Sequence, residues 1–214
     1  MTQVQFREYA ASGNVEMVQK GLLQKSIDPE KKNKQGTSAL DAVIDAPGHQ
    51  NDHTLDQLKV IELLLKAGVS TNYNQYSTLT LYGHLDALKI MYKYNPRRVG
   101  SRELASCVYN RHVETVKYVL ENSNRDFSDY DLLGMISGSG SSIKWMKFDM
   151  FNLVYGYITN PAVDDNKYML KVIESVTNQE IIDLITCDEK VATKAVELEQ
   201  IQLYSTTLKQ VFFI

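Results

Sequence analysis

Few side chains in this sequence have the type and spacing that chemistry requires. His49 and His53 stand four apart with Asp45, Asp52 and Asp56 around them, a set of nitrogens and oxygens of the kind zinc accepts. Pro47 and Gly48 mark the stretch as loop, and no third histidine or cysteine is close in sequence, so a solvated insertion is expected and no metal. HQNDH also lacks the glutamate that follows the first histidine of a HExxH metalloprotease helix. Cys107 falls at a small, buried position of its helix, and Cys187 ends another with no histidine nearby, so neither thiol reads as a nucleophile. The run GMISGSGSSIKW from Gly134 precedes a helix and has the glycines of a phosphate nest. It lacks GxxxxGK[ST], and no strand precedes it, so an ordinary turn is the simpler reading.

The densest feature is a basic, tyrosine-rich stretch. Lys89, Lys93, Arg97, Arg98 and Arg102 follow one another with no acid among them, and eight of the thirteen tyrosines lie between Tyr73 and Tyr130. Tyrosine and arginine are enriched in interface hot spots because they combine large contact area with a polar tip. The competing reading places half of these tyrosines in the core. Over the whole chain, 23 basic residues face 26 acidic ones, a net charge of -3, so general attraction to nucleic acid or anionic membrane is not the driving force. No run approaches a membrane span and the N-terminal residues do not read as a secretory signal. Two cysteines in 214 residues fit a reducing, cytoplasmic setting without a disulfide framework.

The elements that must hold these residues repeat along the chain. AASGNVEMVQKGLL from Ala10, LKVIELLLKAG from Leu58, YGHLDALKIMYKY from Tyr82 and NRHVETVKYVLEN from Asn110 are amphipathic helices, with Val18, Ile61, Leu88 and Val116 at equivalent places. A weaker fifth copy puts Ile143 in that column. Before each lies another apolar stretch closed by a small or turn-forming residue: Phe6 to Gly13, Leu40 to Ala46, Tyr76 to Gly83, Leu104 to Arg111 and Leu132 to Gly138. The unit is helix, tight turn, helix. Gly13 and Gly83 suit left-handed dihedrals that disfavour a Cβ; Arg111 does not.

Ala10, Gly13, Asn14 and Val18, then Gly36, Thr37, Ala39 and Leu40 with LLLKAGVSTN, then Gly83-His84 and His112, together carry a pattern that resembles the ankyrin repeat. The resemblance implies an all-α solenoid of about five helix pairs over 1–160, with an insertion over 45–56. His84 and His112 would serve the turns as structural residues. Spacings of 27–28 residues against the ~33 of an ankyrin period imply that most of the projecting β-turn finger is missing from the later copies. After Pro161, residues 161–214 read as a helical C-terminal cap or diverged repeats, with Met169, Val172, Ile173 and Val176 on one face; Asp164 to Glu199 holds nine acidic and four basic residues, which suits the polar outer side of a cap.

The resemblance further implies a non-catalytic protein-binding module that sequesters or inhibits a partner through its concave face, with no cofactor. It nominates Leu81, Tyr82, Tyr109 and Asn110 before the inter-helix turns, and Tyr73, Tyr76, Arg97, Arg98 and Arg102 on connecting loops. The basic stretch would suit an acidic surface on that partner. Degenerate repeats of this kind also look like ankyrin proteins of large DNA viruses, phages and intracellular bacteria, which act in the host cytoplasm. Two alternatives stay open: an enzyme or effector activity in the C-terminal segment, and nucleic-acid or phosphate binding at 89–102.

Overall fold

Each early helix begins where the sequence supplies an oxygen for its free N–H groups. Thr2, Ser38, Thr54 and Asn72 cap their helices by accepting from the backbone N–H three residues on, and the side chains of Gln5, Asp41, Gln57 and Gln75 accept from the cap's own N–H in return. Ser128 caps the helix that follows it through the Asp131 N–H. The computed structural model describes residues 1–47, 52–96, 100–122, 127–137, 147–161, 168–169, 171–172, 178–188 and 191. Among the described residues there are eleven helices and no strand.

The chain divides into two units, Met1–Arg125 and Asp126–Ile214. The first holds α1 (Gln3–Ala11), α2 (Val15–Leu22), α3 (Ala39–Asp45), α4 (Leu55–Lys66), α5 (Tyr73–Tyr82), α6 (Leu85–Tyr94), α7 (Ser101–Tyr109) and α8 (Val113–Asn122). Consecutive helices pack as pairs: α1 with α2, α3 with α4, α5 with α6, and α7 with α8. The pairs then stack in two layers, α1 on α3 on α5 on α7 in one, and α2 on α4 on α6 on α8 in the other. The second unit holds α9 (Asp129–Ile136), α10 (Phe148–Tyr155) and α11 (Gln179–Thr186), with α10 packed against both α9 and α11. In that unit Met169 and Val172 are buried as the amphipathic pattern requires, whereas Ile143, Ile173, Val176 and the final VFFI lie outside the described residues.

The repeated columns of the sequence are the core. Val18, Ile61, Leu88 and Val116 are fully buried, as are Phe6, Leu40 and Leu104, with Tyr76 and Leu132 nearly so. Burying each of these side chains stabilises the fold by roughly 1.5–3 kcal/mol relative to exposure. The insertion in the second pair departs from expectation. Leu55 and Asp56 already belong to α4, and His53 is buried rather than solvated, because its ring turns back onto α3 with Nε2 3.2 Å from the Val43 carbonyl.

Three pairs close in the same way. Gly13, Gly83 and Arg111 take φ of +73°, +72° and +62°. The N–H of the following residue donates to the carbonyl five residues back: Asn14 to Tyr9 at 2.8 Å, His84 to Leu79 at 2.9 Å, and His112 to Cys107 at 3.0 Å. Arg111 therefore fills a glycine's place with a glycine's backbone, held there by the same bonds. Replacing Arg111 with Gly should relieve about 1 kcal/mol of left-handed strain and raise the melting temperature by a few degrees. Gly83→Ala should do the opposite and by more, since its Cβ would fall 2.4 Å from the His112 ring. Thermal unfolding followed by circular dichroism reads both.

Candidate functional site

A groove with a volume of about 380 Å³ opens where the loop before α3 meets α3 and the N-terminal part of α5. Its walls are Lys32, Gln35, Gly36 and Thr37 from the loop, Asp41 and Asp45 from α3, and Asn72, Tyr73, Asn74, Gln75 and Thr78 from the start of α5. The loop wall is fixed by Asn33, whose Oδ1 accepts the N–H groups of Gln35 and Thr37 at 2.9 Å each, while Gly36 turns with φ +82°.

The floor is a hydrogen-bonded chain that caps two helices at once. Asp41 Oδ2 accepts the Ser38 N–H and hydroxyl at 2.8 and 2.7 Å; its Oδ1 accepts from Gln75 Nε2 at 2.7 Å, and Gln75 Oε1 accepts the Asn72 N–H at 2.9 Å. Burial pushes the Asp41 carboxyl up, but these donors outweigh it and hold the group below the ordinary aspartate range. Asp45, one turn on, has no such donors: burial and then the charge of Asp41 push its carboxyl up. The groove thus offers one satisfied carboxylate, one unsatisfied one at the rim, and a ring of amides and hydroxyls.

Tyr73 sits at this groove, exposed, at the start of α5 rather than on a loop. Its hydroxyl is held by Glu103, which raises its pKa first of all, with the Arg102 cation opposing. Arg102 is likewise helical, on the first turn of α7, so the stack brings Tyr73 and Arg102 together from neighbouring pairs. Leu81 and Tyr109 are exposed at the ends of α5 and α7, with Asn110 capping α7 through Nδ2 on the Ser106 carbonyl at 2.8 Å. Tyr82 is half-buried beside His84.

Two expectations need correction. Tyr76 is not a loop residue or an interface residue; it is 2% exposed inside α5, with its hydroxyl donating to the Asn95 carbonyl. The basic stretch is also less basic in space than in sequence. Lys89 lies 3.5 Å from Asp86, and Lys93 lies 3.0 Å from Glu62 of the preceding pair. Glu62 is held down to about 2 by the Tyr94 hydroxyl and then by Lys93. Arg97 and Arg98 lie outside the described residues, as do His49 and most of the glycine run after Gly134.

Asp41 and the amides of the groove were not singled out from sequence, and Asp45 was met only beside the histidines of the insertion, although Ser38-x-x-Asp41 and Asn72-x-x-Gln75 carry the capping signature that places Asp41 and Gln75. Of the cysteines, Cys107 donates its thiol hydrogen toward the Thr80 carbonyl and is pushed up to about 12 by burial, which makes it a poor nucleophile. Among the described residues no three histidine, cysteine, aspartate or glutamate side chains gather to hold a metal ion. No helix there is long and apolar enough to cross a membrane. Compared with known proteins, the chain matches no family model, no curated protein and no solved structure.

His53 gives the molecule a pH dependence. Burial first, then the nearby His84, push it down to about 4, opposed by the Val43 and Ile44 carbonyls and by Asp52. Its contribution is complete above the ordinary histidine value of about 6.5, where neither the folded nor the unfolded chain is protonated. As pH falls from there toward 4, the unfolded chain takes up a proton that the folded chain refuses, and stability drops by about 1–2 kcal/mol after solvent screening. Urea midpoints measured from pH 7.5 to 4.5 should show this loss, and His53→Gln should flatten it.

Proposed function

We propose that the first unit is an ankyrin-like solenoid and that it binds another protein through the groove formed by α3, α5 and the loop before α3. The carrying observation is the Asp41–Gln75 bond: it ties the caps of two successive helices into a rigid floor, and leaves Asp45, Tyr73, Asn74 and Thr78 facing outward around it. A prearranged polar surface of this kind loses little entropy when a partner docks. The fold supports the reading through its two stacked layers of helix pairs, whose side-by-side first helices present one continuous face.

The groove favours a partner segment that brings amide, hydroxyl or cationic groups, since Asp45 has no hydrogen-bond or ion-pair partner among the described residues. That reverses the charge expected from the basic stretch, whose Lys89 and Lys93 are already matched by acids on the protein itself. Tyr73, Leu81, Tyr109 and Asn110 extend the contact surface along the ends of α5 and α7.

A photo-crosslinking residue at Asn74, installed in the full chain expressed in its native cells, should capture this partner. The variant Asp45→Lys should weaken binding of the captured protein by about tenfold or more while the melting temperature stays within a degree or two. Unchanged binding in a folded variant would take the groove out of the interface.

A further inference from the structure

Glu103 is the one acid that is buried among the described residues, 2% exposed on the first turn of α7. One of its oxygens serves Tyr73, the exposed residue that opens α5 in the neighbouring pair. The other, Oε2, is buried and has no hydrogen-bond partner among the described residues. A carboxylate taken out of water with one oxygen unmet costs stability, and an apolar side chain of similar size would be tolerated there as well or better. What the acid secures is the position of Tyr73.

Tyr73 follows the Asn72 cap directly, so α5 fixes its backbone while its ring, 40% exposed at the groove wall, would otherwise swing about χ1. Its hydroxyl donates to Glu103, with Arg102 of the same α7 turn beside it. Arg102 is exposed, so the buried Glu103 is the firm end of this arrangement. The helix that carries both packs against α5, but it contributes no residue to the groove walls. A tyrosine held in place before docking surrenders less freedom when a partner arrives.

We propose that Glu103 is the positioning residue of the groove: from its buried place on α7 it holds the Tyr73 ring at the groove wall in the attitude that the partner meets. This role rests on the groove being the interface. Glu103 touches no partner and acts through Tyr73 alone. Without it the Tyr73 hydroxyl turns to water, since the ring is exposed, so the fold is spared and the loss falls on binding. The groove's shape thereby depends on the fourth helix pair, although its walls come from the second and third and the loop before them.

The test compares the full wild-type chain with Glu103→Leu and Glu103→Gln, each labelled with carbon-13 at tyrosine Cζ; the Tyr73 resonance is the one that Tyr73→Phe removes. In the wild type it should titrate above the ordinary tyrosine range. Glu103→Leu should lower that titration, because the accepting charge is gone and Arg102 stays. It should also weaken binding of the protein captured at Asn74 by about three- to tenfold, while the melting temperature holds or rises. Glu103→Gln keeps an acceptor without the charge, so it should lower the titration yet leave affinity close to wild type. The titration needs no partner, so a failure of the groove reading, seen with Asp45→Lys, is distinguished from a failure of this one. The proposal is overturned by a Tyr73 titration that neither variant moves, by full affinity in Glu103→Leu where Asp45→Lys weakens binding, or by a glutamine variant that binds as poorly as the leucine one. Should Glu103→Leu fail to fold, Glu103→Gln decides alone, and an unmoved Tyr73 titration there overturns the proposal.

Discussion

The last carbonyls of a helix have no donor within it, and in this protein the next helix pair supplies one. Gln57 donates from α4 to the Ala11 carbonyl at 2.9 Å, two residues before Gly13. His112 approaches the Leu81 carbonyl to 3.1 Å, two residues before Gly83, and Thr115 adds a bond to the Gly83 carbonyl itself. The remaining geometry follows from this demand. The turn must be left-handed to aim those carbonyls sideways, the second helix must start at once, and its first polar residues must reach across to the neighbouring pair. Gln57 meets two requirements with one side chain, since its Oε1 also accepts the Thr54 N–H.

Polar bonding of this kind sets register, while apolar burial supplies the driving force. The buried columns along both helices of each pair would tolerate sliding by themselves, because one leucine or valine fits a neighbour's groove about as well as another. A bond from Gln75 to Asp41 across two helix caps does not tolerate it. The exposed bridges within single helices, Lys20 with Glu16 and Lys59 with Asp56, specify no register and contribute little to stability.

Periodicity made the helix pairs legible because a buried face imposes its spacing directly on the residue types. Val18, Ile61, Leu88 and Val116 could be aligned from sequence and are all buried. Backbone conformation was legible only where it demanded glycine; at Arg111 the closing bonds impose the same φ on a residue that does not advertise it. Tyr76 was misread because tyrosine is equally at home in an interface and in a core, and its fate was decided by a backbone carbonyl at Asn95, nineteen residues on. The acid opposite Lys93 stands 31 residues earlier, on α4, and the ring opposite His53 stands 31 residues later. The chemistry of this protein lies in pairings between repeats, which a linear reading meets as unrelated residues.

Stacking by nearest neighbours also sets an order of assembly. Each helix touches its own partner and the equivalent helices on either side, so contacts in the first unit run within a pair or between neighbouring pairs, a nearest-neighbour topology that can nucleate in any pair. One pair is handicapped. α3 and α4 are joined by the longest connection of the four, so closing them carries the largest entropic cost, although that cost grows only slowly with length. The turns closed at Gly83 and Arg111 need wait for no such search. Closure of the second pair should therefore lag behind that of the other three, whose helices are joined by turns of two or three residues.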